Sequence, residues 1–465
     1  MPAPARAPLF RLEIARLQRR FNVVSFNMTE AISQPFTVEL DMLGDGFYLD
    51  LTGLMYQPAF LNLGGQQGVH GQIHWATRKH YEPGPGCYTL RLGPRLTCLG
   101  LRYHSRLFQQ MSATRIITQV LEEHRLKNSY RFDLQTESSE RASCVQYQES
   151  DLQLVQRLCA EENIHYHFSH SRRRHELVFG AGLHGFQRSP IAPWRQFEGQ
   201  PGVTRFAVTE DQSPLPGSRT GQRATGHSTL PFVTCGQLLP LAGHPEKRWN
   251  RLWLITEVQH RFAAADGTSE HYLNRFEAIP WEAGFSTPTP APCTPVAPLQ
   301  QGWIVGNADE PTRPDASGRV QVRLEWDSQH PDKPDRRCWL HLAPGLNLEC
   351  RGGMTVLIRF PEDDKTPPQI IGCLQPRALE PCEAPSPEPV DNVQMRLDWP
   401  VINGAERVLQ LGDGPTVHLG EGSRLTVDVG ASHVQIDHDS MTLSSPRISV
   451  ASKAHDPAGD PDAGS

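Results

Sequence analysis

Apolar and polar positions alternate along much of the first 280 residues, which is the pattern of strands that bury one face. The alternation is clear from Leu9 to Leu17, from Phe36 to Met42 and from Tyr88 to Leu92. Forty prolines and 38 glycines indicate many turns and few long helices. The pattern therefore predicts a mainly β fold with some helix.

Two segments change to the helical period of apolar positions. One follows Ser112, and the other begins at Ser150, where Ser150 and Gln153 match a capping box and Asn163 suits a helix stop. The expected buried stripes are Ile116, Ile117, Val120 and Leu121 in the first helix and Leu154, Val155, Leu158 and Cys159 in the second.

The composition changes near residue 282, where WEAGFSTPTPAPCTPVAPLQQG forms a Pro-rich, semi-rigid linker. Four short segments follow at close intervals: RVQVRLEWD, CWLHLAP, MTVLIRF and PQIIGCL. This spacing favours a small barrel or a sandwich. A second Pro-rich linker, QPRALEPCEAPSPEP, separates these strands from the final part of the chain.

The final part carries short apolar pairs that recur first at intervals of eight or nine residues and then at intervals of seven. The pairs are Leu409 and Leu411, Val417 and Leu419, Leu425 and Val427, Val434 and Ile436, Met441 and Leu443, and Ile448 and Val450. This period is too short for a propeller blade or a leucine-rich repeat. A single-chain β-helix of so few coils would leave its edges exposed. The pattern therefore predicts a needle of three intertwined chains with these residues inside, and a β-sandwich domain is the alternative.

Composition excludes several broad classes. The formal net charge of −6 argues against a general nucleic-acid binder, which needs a basic face. Ten cysteines without a CxxC pair indicate buried, reduced thiols. No segment approaches the roughly 18 apolar residues of a membrane-spanning helix. The first residues lack the apolar core of a signal peptide, so export would need a dedicated route.

Histidines are dense in the predicted hairpin of residues 164–179, at His165, His167, His170 and His175. Two histidines at positions i and i+2 of a strand share a face and could ligate a metal. No neighbouring carboxylate or cysteine completes an obvious ligand set. We therefore interpret them as a solvated strand face with a basic hairpin tip, and we predict no metal site here.

The needle segment contains His433, Asp437, His438 and Asp439, which acidic turns explain as well as a cation site does. A catalytic Gly-x-Ser-x-Gly elbow, a phosphate-binding loop and a zinc-peptidase His-Glu-x-x-His motif are all missing from the sequence. We therefore predict no catalytic, cofactor-binding or metal-binding residues. The protein is expected not to be an enzyme.

Several longer motifs resemble one known family when taken together. SRLFQQMSATRIITQVLEEH, CVQYQESDLQLVQRLCAEENIHYHF and YLNRFEAIP resemble its hub segments. A hub block is matched by Gly236, His244, Pro245, Asn250 and His260, and GRVQVRLEWD with Cys338-Trp339 resembles its barrel. The chain thus resembles VgrG, the spike of type VI secretion systems, which is similar to contractile phage tail hubs and spikes. It departs from the family in PEDDKTPPQIIG and in a short segment before Gly236.

The resemblance implies a fold of three parts: a phage-hub-like α+β part, an OB-fold-like barrel and an intertwined triple-stranded β-helical needle. The implied domains are a hub at 1–281, a linker at 282–301, the barrel at 302–375, a linker at 376–390, the needle at 391–452 and an acidic, disordered tail at 453–465.

The function implied by the resemblance is that of a structural homotrimeric spike that punctures target membranes. Its implied partners are an Hcp-type tube protein at the hub, a PAAR-type tip protein at the needle end, and effectors or adaptors, without nucleic acid. It would stay in the cytoplasm before firing and then leave through the type VI apparatus. Two alternatives remain: the hub and spike of a phage tail or extracellular contractile particle, and an effector with hidden hydrolase activity.

Overall fold

The computed structural model describes most of the chain up to residue 374 and five strands beyond it. The described residues are 10–17, 19–44, 48–64, 67–79, 86–195, 200–211, 221–264, 270–287, 296, 298–308, 310–327, 337–361, 366–374, 407–410, 416–419, 425–429, 432–436 and 441–444. The chain divides into two units, residues 1–375 and 376–465.

The first six strands close into a ring. They are β1 (Arg11–Ile14), β2 (Arg19–Ala31), β3 (Thr37–Leu43), β4 (Pro58–Gly64), β5 (Gln67–Lys79) and β6 (Cys87–Gly93), with a one-turn helix α1 (Leu51–Leu54) before β4. The order is β1-β4-β5-β6-β3-β2, and β2 pairs back to β1, all antiparallel. Alternate positions along these strands are buried and fill the ring with apolar side chains.

A mixed layer of helices and strands follows the ring. Its elements are a 3-10 turn (Arg95–Leu101), β7 (Tyr103–Ser112), α2 (Ala113–Glu123), β8 (Tyr130–Asp133), β9 (Glu140–Ser150), α3 (Asp151–Glu161), β10 (Ile164–His170) and β11 (His175–Ala181). Strands β7 and β9 form one sheet, and β10, β11 and β8 form another. Both helices begin and bury residues as the sequence predicts: Ser112 and Ser150 are N-caps, and Ser150 with Gln153 forms a capping box.

The remaining hub strands extend the sheet of the ring. They are β12 (Gln187–Arg188), β13 (Ala192–Pro193), β14 (Val203–Asp211), β15 (Gly221–Ser228), β16 (Gln237–Ala242), β17 (Leu252–Ala264) and β18 (Glu270–Pro280). Short 3-10 turns lie at Lys247–Trp249 and Trp281–Ala283. Strand β17 pairs with β2 of the ring. The long strand β2 therefore belongs to both the ring and this second sheet. Trp253 and Phe276 are fully buried in the core of the second sheet.

A closed five-stranded barrel follows. Its strands are β19 (Leu299–Ile304), β20 (Arg319–Leu324), β21 (Cys338–Leu342), β22 (Thr355–Arg359) and β23 (Gln369–Leu374), with a 3-10 turn at Glu325–Asp327. They pair in the order β19-β20-β21-β23-β22 and close through β22 and β19. Only β21 and β23 pair in parallel. The predicted barrel is therefore present, and its first strand begins at Leu299, inside the segment that the sequence pattern assigns to the linker.

Five short strands are described in the second unit. They are β24 (Arg407–Gln410), β25 (Thr416–Leu419), β26 (Leu425–Val429), β27 (Ser432–Ile436) and β28 (Met441–Ser444). Strands β24 and β25 form one antiparallel pair, and β26, β27 and β28 form an antiparallel sheet of three.

Candidate functional site

The clearest functional geometry is a joint between the hub and the barrel, made by the side chain of Gln109 on β7. Its Nε2 donates to the carbonyl oxygen of Trp339 at 2.7 Å, and its Oε1 accepts the backbone N–H of Trp339 at 2.8 Å. The amide thus occupies both backbone groups of one residue of β21, as a neighbouring strand would. This contact fixes the barrel against the hub in register and direction.

Apolar contacts widen the same joint. Leu107 on β7 and Val145 on β9 pack against the core of the barrel, although both belong to the hub. The ring of Tyr147 meets the ring of Trp326 edge to face, with 6.0 Å between their centroids. The sequence predicts core packing for Trp326 and Trp339; Trp326 packs against the barrel core, whereas Trp339 is half-exposed and held through its backbone.

A buried ionic network supports the strand that carries Gln109. Arg106, 2% exposed, donates to Gln146 at 2.6 Å, to Glu123 at 2.7 Å and to Asp151 at 2.9 Å. Nε2 of His124 lies 2.8 Å from the other carboxylate oxygen of Asp151. Burial alone would raise the pKa of Asp151, but His124 and Arg106 outweigh it and lower the pKa. The network therefore connects β7, β9 and both helices through buried, charged hydrogen bonds. Breaking any one of them would lower the free energy of unfolding considerably.

A second buried arginine ties helix α3 to β9. Nε and Nη2 of Arg157 donate to the two carboxylate oxygens of Glu149, both at 3.0 Å, and Nη2 also donates to the carbonyl of Val145 at 2.8 Å. Because Val145 itself packs on the barrel, the helix is linked to the joint through two residues.

The block of hub residues matched to the family also has structural roles. Asn250 accepts the N–H of His244 and donates to its carbonyl, both at 2.8 Å, which closes a tight turn. Nδ1 of the buried His260 lies 2.7 Å from the hydroxyl of Tyr272. Gly236 has a φ of +73°, and a Cβ there would come within 2.6 Å of the ring of His167. These contacts give Gly236, His244, Asn250 and His260 structural roles in the hub.

The interpretation of the hairpin histidines as a solvated face is wrong. His165 is fully buried, His167 is 7% exposed and His175 is 9% exposed. The room for these rings comes from glycines: a Cβ on Gly180 would lie 2.7 Å from His165, as one on Gly236 would from His167. The ring of His165 also stacks on Phe186 at 4.0 Å. Both faces of β10 are covered, so alternation in its sequence does not report exposure.

The register of the terminal strands brings the predicted needle positions opposite one another. Backbone pairing joins Leu409 with Val417, Leu425 with Ile436, Ile436 with Met441, Val427 with Val434, and Val434 with Leu443. Leu419 pairs with Arg407. Leu411, Ile448 and Val450, like the turn residues Asp437, His438 and Asp439, lie outside the described residues. The role of all twelve as contacts between chains stays a prediction.

Within the described parts of the chain, no group of three or more histidine, cysteine or carboxylate side chains is arranged to hold a metal ion. Five of the eight cysteines in those parts are buried. None of the helices in the same parts has the length and the apolar character that a membrane span requires.

Sequence reasoning singled out the SRLFQQMS motif without assigning roles to its members. The structure shows that Arg106 holds the ionic network, Gln109 holds the barrel and Ser112 caps α2. The available signal was the polar residues that recur along this strand. The sequence pattern alone would place their side chains at the surface. Only contacts with distant residues reveal what each polar group binds.

This architecture is similar to that of a phage tail hub with an attached barrel. Residues 29–219 match the family model described as phage tail baseplate hub. A solved structure of an E. coli type VI secretion component, described as similar to the bacteriophage T4 tail proteins gp27 and gp5, superposes with a TM-score of 0.65. It covers 78% of this chain and 99% of its own, at 21% identity, and so supports the fold.

Curated relatives define the group more narrowly. The type VI secretion spike protein VgrG5 of Pseudomonas aeruginosa is 34% identical over 80% of this chain and 58% of its own length. VgrG4b of the same organism is 32% identical over 80% of this chain and 56% of its own length. The chain is homologous to the VgrG spike proteins of type VI secretion systems, as its motifs predict. It spans little more than half the length of these relatives.

Proposed function

We propose that this chain is a structural subunit of a homotrimeric type VI secretion spike. The observation that carries the proposal is the hub–barrel joint. A spike driven by a contracting tube must transmit axial force from its base without bending. Gln109, the packed side chains around it and the buried arginines beneath it connect the two parts rigidly.

The short terminal strands are an argument for the proposed trimer. Each is four or five residues long, and they pair in sheets of two and three strands. Such small sheets are marginal in water unless another surface covers them. Three copies wound around one axis would supply that cover and bury the twelve predicted contact residues, with the needle spanning 391–452 between the 376–390 linker and the tail at 453–465.

The proposed partners follow from the same role. An Hcp-type tube would bind the hub at 1–281, and a PAAR-type tip protein would cap the needle, with effectors or adaptors carried along. The OB-like barrel would act as a collar rather than as a nucleic-acid site. The protein would wait in the cytoplasm and leave through the apparatus, puncturing the target membrane in transit.

A non-enzymatic role is supported by how the buried polar groups are used. In the hub, the buried Arg106, Asp151, Arg157 and Glu149 bind one another and the backbone, and the more exposed His244 and Asn250 close a turn. These groups are engaged in structure and do not converge on a shared cleft. The match to a phage tail hub keeps a phage-tail or extracellular particle as the second candidate assembly.

The oligomeric state tests the proposal directly. Light scattering of the intact protein should give a mass near three times the 52.0 kDa of one chain, independent of protein concentration. A stable mass of 52.0 kDa at micromolar concentration would overturn the proposal. Deleting the gene in its host and measuring secretion of the tube protein would distinguish a type VI spike from a phage-tail hub.

A further inference from the structure

Six poorly exposed histidines gather at one seam of the hub, and the proposed spike function uses none of them. They are His70 on β5, His165, His167 and His170 on β10, His175 on β11 and His260 on β17. We call this group the histidine seam. It lies where the β10–β11 hairpin meets the ring, so it joins two parts of the hub that are distant in sequence.

The centre of the seam is a pair of imidazoles that face each other. Nδ1 of His70 and Nδ1 of His175 are 3.1 Å apart. The backbone N–H of Arg95 donates to Nε2 of His175 at 3.3 Å, so this nitrogen carries no proton. Nδ1 of the neutral His175 must then carry the proton and donate it to Nδ1 of His70. The network thus assigns one tautomer to each ring.

This arrangement has no place for another proton. A proton on Nε2 of His175 would point at the N–H of Arg95. A proton on Nδ1 of His70 would point at the N–H of His175. Either event sets two donors against each other in a buried site and breaks a hydrogen bond between the hairpin and its neighbours.

The surroundings add positive rather than negative charge to the pair. The titratable groups that face His175 are His170, His70 and Arg95, of which Arg95 carries a permanent positive charge, and His170 also faces His70. The carboxylate of Glu30 lies beyond, 3.5 Å from Nε2 of His170. Burial would raise the pKa of Glu30, but His170 reverses this and lowers it, so the carboxylate is committed to His170. The pair has no acidic partner of its own.

We propose that the histidine seam is an acid-sensitive latch, closed by neutral histidines and opened when protons enter it, so that the β10–β11 hairpin separates from the ring in acidic surroundings. A small cavity at one side of the seam is lined by Glu30, His167 and Cys235. This inference goes beyond the proposed spike function and does not depend on it.

The direction of the pH effect follows from linkage. Burial, with His170, lowers the pKa of His70 to about 4, and burial, with His170 and His70, lowers that of His175 to about 3. Burial likewise lowers the pKa of His165 to about 4, of His167 to about 3 and of His260 to about 4. The unfolded chain therefore binds more protons than the folded one below an ordinary value of about 6.5. Stability is full above that pH and falls as the pH drops toward 4.

A substitution that keeps the hydrogen bond but cannot take a proton tests the latch. In His70→Asn the side-chain oxygen can still accept the N–H of His175. At pH 7.5 we expect the melting temperature of the variant to be close to that of the wild type. On transfer to pH 5 the melting temperature of the variant should fall clearly less than that of the wild type. His184→Asn, at an exposed histidine, is the matched control and should keep the full wild-type loss.

Hydrogen exchange of the intact wild type locates the opening and does not depend on a variant folding. After correction for intrinsic exchange rates, amides of residues 164–181 should lose protection at pH 5, while those of β14 and β15 should not. His70→Lys, a permanent charge, should remove the protection already at pH 7.5. Equal protection of residues 164–181 at both pH values, or an equal pH loss in His70→Asn and wild type, would overturn the proposal.

Discussion

The region up to residue 375 and the terminal strands differ in the length and in the pairing of their strands. The first region has strands of up to 13 residues that close into a ring and a barrel, and one chain suffices to fill both. The terminal strands have four or five residues each and form sheets of two and three. The difference teaches that one chain fills the ring and the barrel, and it is the ground for our proposal that further copies cover the terminal strands.

The largest effect is expected from a charge placed in the predicted needle core. Val427→Asp would set three carboxylates at one level of the trimer axis, and buried unpaired charges are very costly. Light scattering should show loss of the trimer, while the hub and barrel keep their folded circular dichroism. Thr426→Asp is the control, because the neighbouring residue of a strand points to the opposite face. Equal effects of both substitutions would contradict the inward assignment of Val427.

Deletions at the end of the chain sharpen the comparison further. Residues 446–465 lie outside the described residues and contain the last predicted strand, whose open backbone groups can pair with a tip protein. Removing them should therefore leave a trimer but abolish binding of the tip protein. Removing only residues 455–465 should change little, since that segment contains no apolar residue larger than alanine. A pull-down that still retains the tip protein after the longer deletion would contradict this docking site.

A change in the buried ionic network should lower the stability of the region up to residue 375 and leave the terminal strands unaffected. Asp151→Ala leaves the buried Arg106 with one carboxylate partner, Glu123, instead of two, and breaking such a buried pair costs about 3–5 kcal/mol. Chemical denaturation should show this loss in the transition of the hub, with the oligomeric state retained. Glu39→Ala, which removes an exposed pair with Arg91, should cost at most about 1 kcal/mol. Equal costs would show that the network is not coupled to the fold.

The smallest effect is expected at the joint itself. Gln109→Ala removes both hydrogen bonds to Trp339 and should cost about 1–3 kcal/mol. The change should appear as faster proteolysis between hub and barrel rather than as unfolding of either. Gln187→Ala, at an exposed glutamine, is the control and should leave the cleavage rate unchanged. Unchanged cleavage in Gln109→Ala would show that apolar packing alone holds the joint.

The sequence predicts local structure better than long-range pairing. Helix α3 is predicted with its cap and its buried stripe, because those signals lie within a few residues of one another. The first barrel strand was missed because two glutamines and a glycine separate the apolar positions of LQQGWI, which follows a Pro-rich segment. The pairing of β2 with β17 leaves no local signal at all.

The candidate site divides in the same way. The resemblance brought out the right motif around Gln109, but the partner of Gln109 lies 230 residues away along the chain. The hairpin histidines were misjudged because the glycines that make room for them, Gly180 and Gly236, act across strands. The sequence pattern of a strand does not show which distant residues will cover the face that it leaves polar.

The shared strand β2 also sets a schedule for synthesis. Residues 25–31 of β2 pair with β17, so this part of one edge has no partner until more than two hundred further residues have been made. At ~5–20 residues per second this interval is on the order of 10 to 50 s. Throughout that time these residues present open backbone groups to other nascent chains. Folding of this region during translation therefore depends on protection of that edge by the ribosome surface or by chaperones.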